Sequence, residues 1–385
     1  MGPYPVGVPV PPRTRVDACP GVMATHDAAD GPLARIRLPG GVLTRAQALA
    51  VASCAEELGD GAIHLTSRAN LQLRAVRDEA ALVRALSSAG LLPAPEHERV
   101  RNILGSPLSG LHGGLADVRP LVGALDRAVC ARPELARLPG RFLFALDDGR
   151  GDVAGERPDV CWRAVTPGTG ALLLDGRDTG LRVAAGRAVA ALVEAAVAFE
   201  HVRDGAWRVR EIDPAPLAAA VRPLAARGTP ADLPSSGPPP VGPHGAAVVA
   251  APPFGHVPAA VLRTLAGLCP ALVVTPWRTL VLPGTAVPTL AGTGLVTDPA
   301  HPAAAVSACA GRPGCARSHA DVRGDAHAVL GALPRAVPAH FSGCERRCGR
   351  PRGPHADIVA ERDGYRVDGV WTPTAELAEQ LKGRQ

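Results

Sequence analysis

The chain has 385 residues, 46% of them apolar and 3% aromatic, with a formal net charge of +5. So long a chain buries a substantial core and divides into two or three lobes. The low aromatic content excludes a base-stacking platform for single-stranded nucleic acid, and no basic run reads as a nucleic-acid arm. Nearly all the positive charge is arginine, with Lys382 the one lysine. Guanidinium groups keep their charge when desolvated and grip carboxylates through paired hydrogen bonds, so an acidic small molecule suits the balance better than nucleic acid. No stretch reads as a membrane span or a charged-then-apolar leader, and nine cysteines without a leader point to a cytoplasmic setting.

In chain order, the Pro- and Gly-rich residues 1–12 read as a flexible arm. Ala34-Arg35-Ile36-Arg37-Leu38 alternates as a strand and ends in the turn Pro39-Gly40-Gly41. Thr44 caps a helix expected from Arg45 to about Leu58. Ala62 to Thr66 and Leu71 to Arg74 read as two strands joined near Arg68, and Glu79 to Ala89 as a helix. A similar order recurs later: Ala247 to Ala250 a strand, Val257 to Leu268 a helix, then strands over Ala271 to Thr275 and Arg278 to Leu282. Thr66 aligns with Thr275, and Leu71-x-Leu73 with Leu280-x-Leu282, which marks an internal repeat.

Between the copies, a middle lobe holds a strand over Arg141 to Leu146, a turn at Asp147-Asp148-Gly149 and an apolar helix from about Ala184 to Phe199. The expected division is a first half-repeat over 13–95, a lobe over 96–228, a Ser/Pro-rich linker over 229–243, a second half-repeat over 244–298 and a last lobe over 299–385. Gly149-Arg150-Gly151 follows a strand but lacks the third spaced glycine and the helix opening of a dinucleotide site.

The strongest chemical signal lies in the last lobe. Cys309 and Cys315 form C-x5-C, and Cys344 and Cys348 form C-x3-C. Four thiolates so gathered supply one ligand to each iron of a 4Fe–4S cubane. Soft sulfur also suits zinc, but structural zinc prefers tighter knuckles than the first pair offers. Gly314 and Gly343, each just before a cysteine, suit tight turns that leave backbone N–H groups free to face the sulfurs.

These cysteine pairs, the paired half-repeats, Arg35-Ile-Arg37-Leu-Pro-Gly-Gly41, Leu65-Thr-Ser-Arg68 and Arg101-Asn102 resemble the sulfite and nitrite reductase family. The resemblance covers nearly the whole chain after the arm. It implies an α+β fold of two ferredoxin-like half-repeats plus two α/β lobes in a pseudo-twofold arrangement. It also implies a 4Fe–4S cluster on Cys309, Cys315, Cys344 and Cys348, with Arg37, Arg68, Arg101 and Arg141 holding the carboxylates of a tetrapyrrole or an anionic substrate. One departure matters: the family's reductases carry a basic pair after Leu-Pro in the middle lobe, where this chain has Leu138-Pro139-Gly140-Arg141-Phe142-Leu143, keeping only Arg141.

Asp17-Ala-Cys-Pro-Gly21, Phe142-x-Phe-Ala-x-Asp147 and the run from His340 to Pro351 look more like a family branch in the aerobic cobalamin pathway. That branch hydroxylates precorrin-3A with molecular oxygen, and a ring acetate then closes to a γ-lactone. The tetrapyrrole is then substrate, electrons come from an external donor or NADH-dependent reductase, and a mononuclear non-haem iron joins the cluster. A two-His-one-carboxylate set is expected for that iron, with His64, His97, His319, His327, His340 and His355 as candidates; His319 and His340, closest to the cysteines in sequence, are the candidate catalytic pair. The alternatives are a sirohaem-dependent sulfite or nitrite reductase, and a non-catalytic electron carrier or tetrapyrrole-binding protein.

Overall fold

The computed structural model describes residues 17, 19–333, 338–351 and 353–382. The expected N-terminal arm lies outside the described residues. Each half-repeat begins with a strand that turns sharply at a Gly-containing three-residue helix, Pro39–Gly41 in the first and Pro253–Gly255 in the second. At Gly41, φ is +73° and the Val274 carbonyl passes where a Cβ would sit, so only glycine serves this crossing. Each turn throws a three-residue strand onto the opposite half. Val42–Thr44 pairs with Ala271–Val274, and His256–Pro258 pairs with Ala62–Leu65.

The result is two five-stranded antiparallel sheets, each closed by a strand of the other. In space the first runs His26–Ala28, Gly31–Ile36, Leu71–Leu73, Ala62–Leu65, His256–Pro258. The second runs Gly242–His244, Ala247–Ala250, Leu280–Pro283, Ala271–Val274, Val42–Thr44. The half-repeats are therefore not separable units. The helices Arg45–Leu58 and Ala259–Leu268 pack against each other in one shared core, with Val51, Ala52 and Ala55 meeting Leu262, Leu265 and Ala266. Thr44 caps the first helix reciprocally: its hydroxyl accepts from the Gln47 N–H at 3.3 Å, and Gln47 Oε1 accepts from the Thr44 N–H at 3.1 Å. The second helix starts at Ala259 rather than Val257, because Val257 belongs to the exchanged strand.

The other two lobes repeat each other in the same way. The middle lobe has a six-stranded sheet whose strands Ile103–Gly105, Phe144–Asp147 and Val160–Thr166 are parallel before the order turns antiparallel. The last lobe begins with Val306–Ala308, Ala339–Ser342 and Ala356–Ala360, again parallel and then antiparallel. Aromatic packing fixes both interiors: Phe142 against Phe144 and Phe199 in one, Phe341 against Tyr365 in the other. Among the described residues no helix is long and apolar enough to cross a membrane.

Candidate functional site in the cysteine cleft

The four cysteines stand where strand ends meet loops. Cys309 follows Val306–Ala308, and its N–H donates to the Phe341 carbonyl at 2.9 Å. Cys344 and Cys348 follow Ala339–Ser342, and the Gly343 N–H donates to Cys309 Sγ at 3.1 Å. A Cβ at Gly343 would collide with the Ser318 hydroxyl, so glycine keeps this amide on the sulfur. Arginines from three lobes hold the loop carbonyls. Arg323 Nε donates to the Cys309 carbonyl at 3.2 Å, both terminal nitrogens of Arg278 to the Gly349 carbonyl at 3.4 Å, and Arg74 to the Gly314 carbonyl. With the carbonyls held, the loop amides are left to face inward, which suits an anionic cluster. Among the described residues no three of the four sulfurs lie within 4.8 Å of one another. One tetrahedral zinc would draw them to roughly 3.8 Å apart, given Zn–S bonds of about 2.3 Å. The four-sulfur donor set has the composition that a multi-iron cluster takes, one thiolate to each iron.

The sulfurs form one wall of a cleft of about 460 Å³. The opposite wall is a row running straight across the first sheet. Arg35 is the Cα partner of Gln72, Gln72 of His64, and His64 of His256. The Gln72 amide oxygen accepts both Arg35 Nε and Nη2, at 3.2 and 2.6 Å. Arg74 lies two residues along the same face and forms a paired ion bridge to Asp30, both contacts at 2.8 Å. Arg278, Arg317, Arg323 and Arg346 complete a cationic lining. Burial alone lowers the Arg278 pKa from the ordinary guanidinium value, as suits a cation with no paired carboxylate among the described residues.

The arginines expected to hold substrate are placed differently. Arg37, Arg68, Arg101 and Arg141 all lie outside the cleft lining. Arg101 is closed by its own fold: Nε and Nη2 grip both oxygens of Asp126 at 2.7 and 2.8 Å, and Nη1 donates to the Leu91 carbonyl. Arg141 stacks on Trp207 at 5.1 Å. Arg37 and Arg68 gather with Arg35 around Cys19, whose sulfur accepts from Arg35 Nη1 at 3.6 Å. Arg37 is 2% exposed and donates from Nη1 to the Pro20 carbonyl, while its Nε and Nη2 have no hydrogen-bond partner among the described residues. Burial, then Arg35, lowers its pKa to about 9; burial, then Arg208, lowers that of Arg68 to about 10. This cluster borders the cleft through Arg35, and Cys19, Asp17, Glu98 and Asp159 offset its charge only in part.

Neither candidate catalytic histidine enters the cleft. His319 is exposed, and His340 is fully buried. His340 Nε2 lies 3.2 Å from the Cys348 carbonyl and so carries the proton, while Nδ1 accepts from the Ser307 hydroxyl at 2.8 Å. Burial, then Arg278, lowers the pKa to about 4, so the ring is a neutral strut for the second cysteine pair. His97 is buried with Nε2 on the Arg132 carbonyl, His327 lies exposed on Val322–Val329, and His355 accepts from Arg350 and donates to Gly353. His64 and His26 are the histidines that line the cleft.

Among the described residues no two-His-one-carboxylate group has its ligand atoms gathered within 4.8 Å of one another. Among the described residues, the three ligand groups within reach of one another are Asp147, Asp148 and Asp152 in the middle lobe. Most of their oxygens are taken, although Asp152 Oδ2 is buried without a hydrogen-bond partner among the described residues. Asp147 accepts N–H donors from Gly149, Gly151 and Ala154, and Arg150 grips both oxygens of Asp148. Asp152 Oδ1 accepts from the Ser106 hydroxyl and the Val153 N–H. In the sequence His64 is a candidate only as an iron ligand and Arg35 only within a motif, while Arg74, Arg278, Arg317, Arg323 and Arg346 are not candidates; strand alternation marks the sheet part of this lining, since positions 33, 35, 72, 74 and 64 share a face opposite the core residues Ala34, Ile36, Leu71 and Leu73.

Comparison with known proteins accords with this frame. Residues 26–83 match the nitrite/sulfite reductase ferredoxin-like half domain. The chain is 27% identical over 380 residues to a precorrin-3B synthase from Sinorhizobium sp, covering 91% of this chain and 82% of that protein. It is 37% identical over 127 residues to a ferredoxin–nitrite reductase from Synechococcus elongatus, covering 31% of this chain and 25% of the reductase. Alignment thus reaches about a quarter of that relative's length. The structure of Mycobacterium tuberculosis NirA protein superposes with a TM-score of 0.73 at 21% identity, over 96% of this chain and 83% of that one.

Proposed function

We propose that this chain, which has the fold of the nitrite and sulfite reductases, catalyses the precorrin-3B synthase reaction. One oxygen atom of O2 enters precorrin-3A at a meso carbon and the other leaves as water, with two electrons and two protons consumed, and a ring acetate closes to the γ-lactone. Similarity along nearly the whole chain to a precorrin-3B synthase supports this assignment. The observation that carries it over a small-anion reductase is Leu143. That side chain is 4% exposed, packed with Leu104, Ala145, Val153 and Leu173, where a reductase would want a second proton-donating cation.

Cys309, Cys315, Cys344 and Cys348 would hold a 4Fe–4S cluster, which supplies single electrons received from an external donor. The protein's own groups bind and orient. Arg278, Arg317 and Arg346 lie beside the cysteines and Arg35 on the facing sheet, so they engage carboxylates on different edges of one macrocycle. The Arg37–Arg68 cluster takes a carboxylate projecting past Arg35.

The test is a visible spectrum of protein purified without oxygen, with iron and sulfide counts and solvent extraction of pigment, followed by precorrin-3A turnover with and without O2. Cluster absorption, no extractable sirohaem and oxygen-dependent product support the assignment. Stoichiometric sirohaem with sulfite or nitrite reduction would replace it, and tight tetrapyrrole binding without turnover would make the chain a carrier.

A further inference from the structure

His64 stands in the cleft with 8% of its side chain exposed and with two unlike neighbours. Nε2 lies 2.8 Å from Asp60 Oδ2, and Nδ1 lies 3.2 Å from Arg323 Nη1. A guanidinium has N–H groups and no acceptor, so Nδ1 is the unprotonated nitrogen and Nε2–H donates to Asp60. The ring's basic lone pair therefore points at the cleft and is covered by a cation.

Among the described residues the charged or titratable groups that act on the ring are Asp60, Arg323, Arg74 and His256. Burial lowers the His64 pKa most; Asp60 raises it, and Arg323 and Arg74 lower it. His256, across the strand pair with its ring centroid at 5.1 Å, adds a further titratable neighbour. Arg74 is neutralised by Asp30, whereas Arg323 forms no ion pair among the described residues. Arg323 comes from the helix Val322–Val329 and also holds the Cys309 carbonyl. Asp60 keeps 29% of its side chain exposed and so connects the ring to solvent.

A carboxylate in the cleft offers Arg323 a charged acceptor, and such hydrogen bonds are roughly twice as strong as neutral ones. Its departure from Nδ1 uncovers the lone pair and removes the nearest positive charge in one movement, leaving Asp60 to stabilise an imidazolium. We propose that His64, oriented by Asp60, is the proton-handling group of the cleft, and that a carboxylate-bearing ligand arms it by drawing Arg323 away. The identity of that ligand as a tetrapyrrole rests on the function proposed above. A solvent proton adds to Nδ1, one N–H bond forms, and the positive charge is shared with Asp60. Ligand binding then takes up a proton near neutral pH, which the Arg323-covered ring does not hold.

Calorimetric titration of uroporphyrin III, an octacarboxylate tetrapyrrole, into the oxygen-free holoprotein tests this. Apparent binding enthalpy measured in buffers of different ionisation enthalpy counts the protons exchanged. The wild-type protein is expected to take up protons near pH 7, and His64→Gln to lose that uptake while still binding. Asp60→Asn, which keeps a hydrogen-bond acceptor, is expected to move the uptake to lower pH by removing the anion that steadies the imidazolium, and it decides the matter should His64→Gln fail to fold. Unchanged uptake in both variants overturns the role of His64 and leaves the tetrapyrrole assignment standing. No binding of uroporphyrin by any form overturns the tetrapyrrole assignment and this inference together.

Discussion

The middle lobe and the last lobe start from the same frame and spend it differently. Gly105 lies opposite Leu146, and Ala308 opposite Phe341, so Ser106 and Cys309 occupy matching places. The Ser106 N–H donates to the Leu146 carbonyl at 3.1 Å, as the Cys309 N–H does to Phe341 at 2.9 Å. The Asp148 N–H donates to Ser106 Oγ at 3.1 Å, and the Gly343 N–H to Cys309 Sγ at 3.1 Å. There the likeness stops. In the middle lobe Asp147 collects three loop amides and Arg150 closes Asp148, so the loop meets most of its own polar groups, Asp152 Oδ2 excepted. In the last lobe the carbonyls are held by its own Arg323 and by Arg74 and Arg278 from the half-repeats, and the thiols face a cleft. One backbone serves as scaffold or as site according to whether its polar groups are consumed internally.

The contrast can be broken from either side. Cys344→Ser should have the largest effect: loss of cluster absorption and iron, and with them all turnover, while the middle lobe keeps its fold. Asp147→Ala should destabilise by about 3 kcal/mol or more by stranding two buried amides and one half-buried one, with iron content per folded protein unchanged; chemical denaturation checks the first and metal analysis the second. Asp152 sharpens the contrast through pH. Burial, then Asp147, raises its pKa to about 7, so the folded protein keeps a proton that the unfolded chain has released. Its stabilising contribution is complete below the unfolded value and is lost as pH rises through about 7. Asp152→Asn should flatten this fall between about pH 4 and 7, seen in denaturation midpoints across that range. Ser106→Cys should do least, shifting stability by under about 1 kcal/mol and recruiting no iron, because its loop lacks the other three thiols; metal content would reveal otherwise.

Local pattern made much of the molecule legible. Thr44 and Gln47 announce the helix start that the structure shows at Arg45, and the strand Ala247–Ala250 has the ends its residues suggest. The α+β repeat was readable from matched segments such as Thr66 and Thr275, whose N–H groups make the same turn contact to Asn70 and Thr279. The exchanged strands were not readable, because three residues carry no periodicity and their pairing is decided by the other half of the chain. The cysteines were legible from spacing, the cationic lining only from register. Arg101 illustrates the limit: an arginine in a family motif is silent about which carboxylate it meets, and here Asp126 holds it.

The strand exchange also bears on how such a chain could be divided. A piece ending in the 229–243 segment would keep Val42–Thr44 with nothing to pair against, and would leave Ala62–Leu65 as an open sheet edge. Two copies of one half could satisfy each other by trading those same strands about a twofold axis. The tandem chain is in that sense a symmetric dimer tied end to end, and the tie let its two outer lobes diverge, one into aspartate and one into cysteine.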